Sequence, residues 1–225
     1  MLYLERKIMQ INQFGRSMVE MLGVLAIIGV LSVGSILGYA SAMKKYRVNK
    51  HAEMFNMLLS NALQISGSIK ASTNGFIYYN SLLNKARLLP DGIVYKNERW
   101  SGGNKNGTNV YNSVDKLQDK FGGNITFFSR YGYNYNFAIS YELANTADSA
   151  DMCQNIINIT KEHASNIQRL LREDVSGSYW KSTSIWSDCN GNDTCFKQLS
   201  VSDIINMCRT DKDNKSGSYL FFILW

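Results

Sequence analysis

The longest hydrophobic segment of this chain lies close to its N-terminus. Residues 21–43 are 23 consecutive positions without a charged side chain. As an α-helix, this segment would be roughly 34 Å long at about 1.5 Å per residue, which is enough to cross a bilayer with some tilt. The pattern therefore predicts a membrane-spanning helix.

The helical pattern continues beyond the uncharged segment. Apolar residues recur at three- and four-residue steps, which is typical of an amphipathic helix with one buried face. The sequence predicts a single helix from near Arg16 to about Lys70, with residues 16–43 in the membrane and residues 44–70 packed beneath a domain. His51 is interpreted as a boundary residue of the buried face and not as a ligand. The face comprises Val48, His51, Phe55, Leu58, Ala62, Ile65 and Ile69.

Residues 71–225 are expected to form one α+β domain with an antiparallel sheet. Aromatic and apolar residues alternate with small or polar ones over residues 131–141, which is the pattern of a half-buried strand. Residues 125–129 are its predicted hairpin partner. The almost wholly apolar residues 219–225 suit a central strand.

Helices are also predicted in this domain. Residues 72–123 are polar and rich in Asn and Gly, and they are interpreted as a surface connection with one short helix over residues 112–120. A longer helix is predicted over residues 149–171, after Asp148. Ser200-x-x-Asp203 is typical of a capping box that starts a short helix ending near Cys208.

Four cysteines lie in the C-terminal third of the chain: Cys153, Cys189, Cys195 and Cys208. An even number in an exported domain indicates two disulfides, for which three connectivities are possible. We favour Cys189–Cys195, which closes a turn-rich loop, together with Cys153–Cys208, which closes a long one. Neither a Cys-x-x-Cys pair nor a Cys/His cluster is present in the sequence, so no metal and no cofactor is expected.

A carboxylate stands at the start of the uncharged segment. Glu20 directly precedes it, and Gly15 and Arg16 lie five and four residues before Glu20. A carboxylate at the end of a membrane-spanning helix is energetically costly, so Glu20 is a candidate functional residue. A short polar start, a Gly, a Glu five residues later and an apolar helix together resemble the N-terminus of type IV prepilins. In that family a membrane peptidase cuts after the Gly, here Gly15, and methylates the new terminus, here Arg16.

The resemblance implies an organisation for the whole chain. Residues 1–15 are the leader, and Glu20 directs assembly by pairing with the new ammonium on Arg16 of a neighbouring copy. The implied partners are copies of the chain in a helical filament, the prepilin peptidase and an inner-membrane assembly platform. The long Cys153–Cys208 loop resembles the surface-variable region of type IV pilins, and the large head resembles the type IVb subfamily.

The implied function is structural: a pilus subunit for adhesion, aggregation or motility. The precursor is expected in the bacterial inner membrane, and the product in an extracellular pilus or a periplasmic pseudopilus. The alternatives are a pseudopilin of type II secretion and a minor tip pilin that binds DNA or a receptor.

Catalytic chemistry is not indicated by the sequence. His51 and His163 lie on separate predicted helices, and neither a Gly-x-Ser-x-Gly motif nor a phosphate loop is present. An enzyme is therefore not expected.

Residues 211–217 resemble a calcium loop weakly, and a solvated turn is the better interpretation. The net charge of +6 is moderate, and nucleic acid is not expected as a partner. The basic residues after the helix, Lys44, Lys45, Arg47 and Lys50, can meet lipid headgroups or a neighbour's acids.

Overall fold

The computed structural model describes residues 2–69, 75–97, 115–130, 136–176, 179–190, 194–209 and 219–225. The chain forms two compact units, Met1–Arg47 and Val48–Trp225. The second unit, called the head below, combines helices with an antiparallel sheet. Together with the long N-terminal apolar helix, this confirms the expected α+β fold class.

Helix α1 extends over Leu2–Ser66. It begins earlier than the predicted start near Arg16, because residues 2–14 contain neither Gly nor Pro and so nothing interrupts the helix before Gly15. It ends directly before Gly67, a residue type common at helix C-termini. The predicted end near Lys70 is therefore a few residues too late.

The head-side part of α1 buries the predicted apolar face. Phe55, Leu58 and Ala62 have no exposed surface, and Ile65 packs against the same core from a half-buried position. Met54 and Leu59 are buried as well and widen the stripe beyond the predicted positions. Such a stripe of i, i+3 and i+4 residues is what holds an amphipathic helix on a sheet.

Within the described residues, eight strands form one antiparallel sheet in the order β2-β3-β4-β5-β8-β6-β7, with β1 beside β4. The strands are β1 Phe76–Tyr78, β2 Ile93–Asn97, β3 Asp115–Asp119, β4 Asn124–Arg130, β5 Ala138–Glu142, β6 Arg169–Ser176, β7 Tyr179–Trp186 and β8 Tyr219–Leu224. The shorter helices are α2 Asn80–Lys85, α3 Ser149–Glu162 and α4 Val201–Met207, and a 3₁₀ turn covers Ala164–Asn166.

The predicted central strand and hairpin are both present. Strand β8 pairs with β5 on one side and β6 on the other, and its alternate residues Tyr219, Phe221 and Ile223 are fully buried. Strand β4 pairs with β5, with Phe127 opposite Ile139. Residues 131–135 of the predicted aromatic strand lie outside the described residues.

The region predicted as a surface connection contains regular structure. The expected helix over residues 112–120 is wrong, because Asp115–Asp119 is strand β3, and residues 112–114 lie outside the described part. Strand β3 pairs along its whole length with β2 and buries Leu117 in the core. Residues 115–119 form a strand because they pair with segments elsewhere in the sequence, and the local composition does not indicate that pairing.

Helix α3 is shorter than predicted. It ends at Glu162, and the chain then enters β6 through the 3₁₀ turn. Leu171, expected on the helix, lies in β6 between two paired strands. The three- and four-residue spacing that suggested one helix is therefore fulfilled by two elements, both of which contribute side chains to the same core.

The capping box at the start of α4 is confirmed. The Ser200 side chain accepts a hydrogen bond from the Asp203 backbone, and the Asp203 carboxylate accepts one from the Ser200 backbone at 2.9 Å. Hydrogen bonds from the Ser200 side chain and backbone lower the pKa of Asp203. These bonds satisfy backbone donors that a helix start otherwise leaves unpaired.

Candidate functional site: the apolar helix and the stapled head

The first candidate site is the apolar surface of α1 over residues 18–39. Its most apolar 18-residue window has a mean hydropathy of 2.3, and none of that window is buried within the protein. In the part of the chain that the structure describes, α1 is the one helix long and apolar enough to cross a membrane. An apolar surface of this size marks contact with lipid or with protein. Its large exposed side chains are Met18, Val19, Met21, Leu22, Val24, Leu25, Ile27, Ile28, Val30, Leu31, Val33, Ile36, Leu37 and Tyr39.

Two serines within this apolar surface satisfy their own hydrogen-bonding needs. The Ser32 hydroxyl donates to the Ile28 carbonyl and the Ser35 hydroxyl to the Leu31 carbonyl, each at 2.7 Å. A hydroxyl bonded back to the preceding helical turn does not require water. Ser32 and Ser35 are therefore compatible with an apolar environment.

The residues predicted for processing and for assembly all lie on α1. Gly15 and Arg16 are within the helix, and Glu20 follows one helical turn after Arg16 with an exposed side chain. Glu20 is thus at the N-terminal end of the apolar surface, as the sequence indicates. Cleavage after Gly15 and pairing of Glu20 with a neighbouring copy stay predictions.

Two disulfides staple the head: Cys153–Cys208 and Cys189–Cys195. These are the pairs that the spacing favours. The first joins α3 to the residue after α4 across 55 positions, and both of its cysteines are fully buried. The second closes a loop of only six positions. The long bond therefore ties α3 to the end of α4, whereas the short one joins two residues that are close together in sequence.

A buried polar chain connects α1 to the sheet. The Tyr141 hydroxyl donates to the Asp119 carboxylate and lies 2.7 Å from His51 Nε2. Asp119 also accepts bonds from the backbone N–H groups of Phe121 and Gly123, at 2.7 and 2.8 Å. These hydrogen bonds join α1, β5 and the β3–β4 turn. His51, which belongs to the predicted apolar face of α1, is fully buried.

The turn between β3 and β4 needs a glycine at position 123. A Cβ placed there would lie 2.6 Å from an Asp119 carboxylate oxygen and 2.9 Å from the Glu142 carbonyl oxygen. Neither distance is tolerable for a carbon atom, and one of the two groups is backbone. Gly123 therefore lets the turn close on the Asp119 side chain.

The hydrogen bonds among His51, Tyr141 and Asp119 determine which of these side chains carries each proton. The single Tyr141 hydroxyl proton goes to Asp119, so the tyrosine oxygen accepts a bond from a neutral His51 protonated at Nε2. Among the described residues, His51 Nδ1 has no hydrogen-bond partner. Burial lowers the pKa of His51 from 6.5 to about 4. Burial, and then the charge of Asp119, raise the pKa of Tyr141 well above its ordinary value.

The head is expected to lose stability in acid because of His51. Its pKa is about 4 in the folded state and 6.5 when unfolded, so the unfolded chain takes up a proton first as the pH falls. The free energy of unfolding is therefore expected to have its full value above about pH 6.5 and to fall as the pH is lowered towards 4, by roughly 3 kcal/mol at most. Urea unfolding at several pH values measures it.

His51→Gln isolates this effect, since glutamine can donate to Tyr141 but does not titrate. The difference in unfolding free energy between the wild type and His51→Gln should shrink as the pH falls from 6.5 to 4. The control is His163→Gln, because His163 is only half-buried and lies near Asn56. A difference for His51→Gln that is independent of pH would contradict the prediction.

Metal ligands are not clustered in the described part of the head. Among the described residues, no group of three or more His, Cys, Asp or Glu side chains could hold an ion. His51 is occupied by Tyr141, and His163 Nε2 lies 3.2 Å from the Asn56 side-chain oxygen. The weak calcium-loop resemblance at residues 211–217 lies outside the described residues.

The sequence did not reveal the partners of His51. The sequence pattern predicts Tyr141 only as a strand residue, and it predicts a helix at Asp119, which lies in strand β3. The signal that could have located Asp119 is the run Asp119-Lys-Phe-Gly-Gly123, because an Asp before paired glycines is typical of a turn whose backbone bonds to the carboxylate. The link to His51 depends on sheet pairing that distant segments decide.

Comparison with known proteins did not identify relatives: no family model, no curated protein and no solved structure matches this chain. The features of this protein that bear on its function are therefore the N-terminal residue pattern, the exposed apolar surface of α1 and the disulfide-bonded head.

Proposed function

We propose that this protein is a type IV pilin-like structural subunit, of the type IVb kind, that is anchored in a membrane and then polymerises through α1. The observation that carries the proposal is the exposed apolar surface of residues 18–39 with Glu20 at its N-terminal end. The α+β head with its long disulfide is compatible with a pilin head. The assembled fibre would serve adhesion, aggregation or motility.

The chemistry of assembly follows from the charges near the start of α1. Cleavage after Gly15 leaves an ammonium on Arg16, and the Glu20 carboxylate of a neighbouring subunit is its natural partner. A charge in an apolar surrounding is costly unless it is paired, so pairing of this ammonium with a Glu20 carboxylate would select one axial register among many that apolar contacts alone would allow. The remaining apolar side chains then pack between helices in the fibre core.

The experiment that tests this proposal is the intact mass and N-terminal sequence of the protein from its native host. Membrane and sheared-surface fractions are analysed separately. A chain that starts at Arg16 and is abundant in the sheared fraction supports a pilus subunit. A processed chain confined to the envelope favours a type II secretion pseudopilin. A chain still starting at Met1 in both fractions would refute processing.

A pair of glycine variants tests the cleavage position. Gly15→Val is expected to leave the full-length precursor in the membrane, because a peptidase that cuts after glycine must accommodate the side chain there. The matched control is Gly23→Val on the same helix, where an added Cβ meets no other atom within 4 Å. Mass spectrometry should find the shortened chain for the control only. Equal processing of both variants would show that cleavage does not occur after Gly15.

A further inference from the structure

Three basic residues follow the apolar surface of α1 closely: Lys44, Lys45 and Arg47. All three are exposed, and they belong to the same compact unit as the apolar surface. Successive residues of an α-helix are rotated by about 100°, so the three side chains extend in different directions around the axis. We call this group of three cations the basic collar.

Two exposed tyrosines accompany the basic collar. Tyr39 is 67% exposed and Tyr46 is 57% exposed. They are seven residues apart and therefore lie on the same side of the helix, one within the uncharged segment and the other inside the collar. Tyrosines and basic residues in this order are typical of the boundary between hydrocarbon and lipid headgroups. The collar is thus at the position where α1 would leave a bilayer.

The spacing between Glu20 and the collar matches the thickness of a bilayer. Lys44 follows Glu20 by 24 residues, which is roughly 36 Å along a helix, and the hydrocarbon core of a bilayer is about 30 Å thick. Both ends of this segment can therefore lie at a membrane surface at the same time. A collar held at one surface keeps Glu20 close to the other, where a carboxylate costs less than in the middle of the hydrocarbon.

The charge near the collar is of one sign. No acidic residue occurs in the sequence between Glu20 and Glu53, and the Glu53 carboxylate accepts a hydrogen bond from Lys50 at 2.6 Å. Each Lys or Arg close to a membrane surface adds to the attraction of anionic lipids, whereas a zwitterionic headgroup has no net charge to offer. The chemistry that fits the collar is therefore the phosphate of an anionic phospholipid.

We propose that the basic collar binds the headgroup phosphates of anionic phospholipids and thereby fixes the depth of α1 in the membrane. This inference rests on the membrane anchoring in the proposed function and names the lipid partner of the anchor. Acidic residues of a neighbouring copy are the competing partner. The order of apolar segment, tyrosines and cations favours lipid, because it is the order of a membrane boundary and requires no second protein.

Native mass spectrometry of the full chain in a nonionic detergent measures lipid binding. The chain is titrated with phosphatidylglycerol and with phosphatidylcholine of the same acyl chains. We expect phosphatidylglycerol to bind at least about tenfold more tightly, and the triple variant Lys44→Gln, Lys45→Gln, Arg47→Gln to lose this preference. The preference should also decrease as the salt concentration is raised, since salt screens exposed charges. Glycerol 3-phosphate, which has the phosphate without acyl chains, should not displace the lipid at equal concentration.

The matched control is the triple variant Lys85→Gln, Arg87→Gln, Lys197→Gln, which removes the same charges from exposed positions of the head. It should keep the preference of the wild type. Equal binding of the two lipids, equal loss of preference in both triple variants, or displacement by glycerol 3-phosphate at equal concentration would each overturn the proposal. A collar variant that keeps the lipid preference but loses dimers in the same spectra would overturn it too, because the cations would then meet acids of a second copy.

Failure of this inference is distinguishable from failure of the proposed function. A chain that starts at Arg16 in sheared fibres but shows no lipid preference would refute the collar alone. A chain that prefers phosphatidylglycerol but is never processed and forms no fibres would support the collar and refute the pilin function. Far-UV circular dichroism of each variant verifies that the fold is retained.

Discussion

Replacing Glu20 with alanine is expected to abolish fibre assembly while the precursor stays in the membrane with a folded head. Without the carboxylate, the ammonium on Arg16 of the neighbouring subunit would be buried with no partner, which costs several kcal/mol per contact. In the proposed fibre every subunit repeats this contact, so we expect loss of fibres and not a partial reduction. Immunoblots of the sheared-surface and membrane fractions measure the result.

The control for this variant is Glu53→Ala on the same helix. The Glu53 side chain is 62% exposed and accepts a hydrogen bond from Lys50 at 2.6 Å. A surface pair of this kind contributes only about 0–1 kcal/mol, so fibres should form normally. Normal fibres from Glu20→Ala would contradict the assembly role of this residue. Loss of fibres in both variants would indicate a general effect of removing negative charge from α1.

Removing the long disulfide is expected to destabilise the head more than removing the short one. By the chain-entropy model, a disulfide that closes a loop of 55 positions stabilises the folded state by about 4 kcal/mol, and one that closes a loop of six positions by about 2 kcal/mol. The paired variant Cys153→Ala with Cys208→Ala should therefore lose about twice as much unfolding free energy as Cys189→Ala with Cys195→Ala. Alanine is chosen because three of these four side chains are fully buried.

Urea unfolding of the full chain, followed by tryptophan fluorescence, measures both losses. The two disulfide variants serve as controls for one another, since each removes two thiols and one bond. Equal losses, or a larger loss for Cys189 and Cys195, would show that the entropy of the long loop is not what stabilises the head. The slope of the denaturant dependence should also rise in the long-loop variant, because its unfolded chain exposes more surface.

Helix α1 could be predicted in its essentials from local pattern. The uncharged segment, the face with Phe55, Leu58 and Ala62 and the position of Glu20 all follow from residue order and helical spacing. Its beginning could not be placed, because residues 2–14 are compatible with a helix, whereas the predicted cleavage after Gly15 suggests a boundary there. A functional boundary need not be a structural one.

The strands show where local pattern fails. Strands β4, β5 and β8 have strong alternation or a continuous apolar run and were recognised. Strands β3 and β6 contain several charged residues, and each becomes a strand because neighbours pair with it along its length. Arg172 illustrates this for β6: its guanidinium lies over the Tyr219 ring, 5.1 Å from the centroid, and the residue is buried.

The sequence by itself determined the long apolar segment of α1, the carboxylate at its N-terminal end and the four cysteines that form the two disulfides. These properties depend on residue types within one or two helical turns. Only the tertiary structure decided that His51, Tyr141 and Asp119 form one buried, hydrogen-bonded group. The physical reason is that such contacts join residues up to 90 positions apart, and sheet pairing, not local propensity, brings them together.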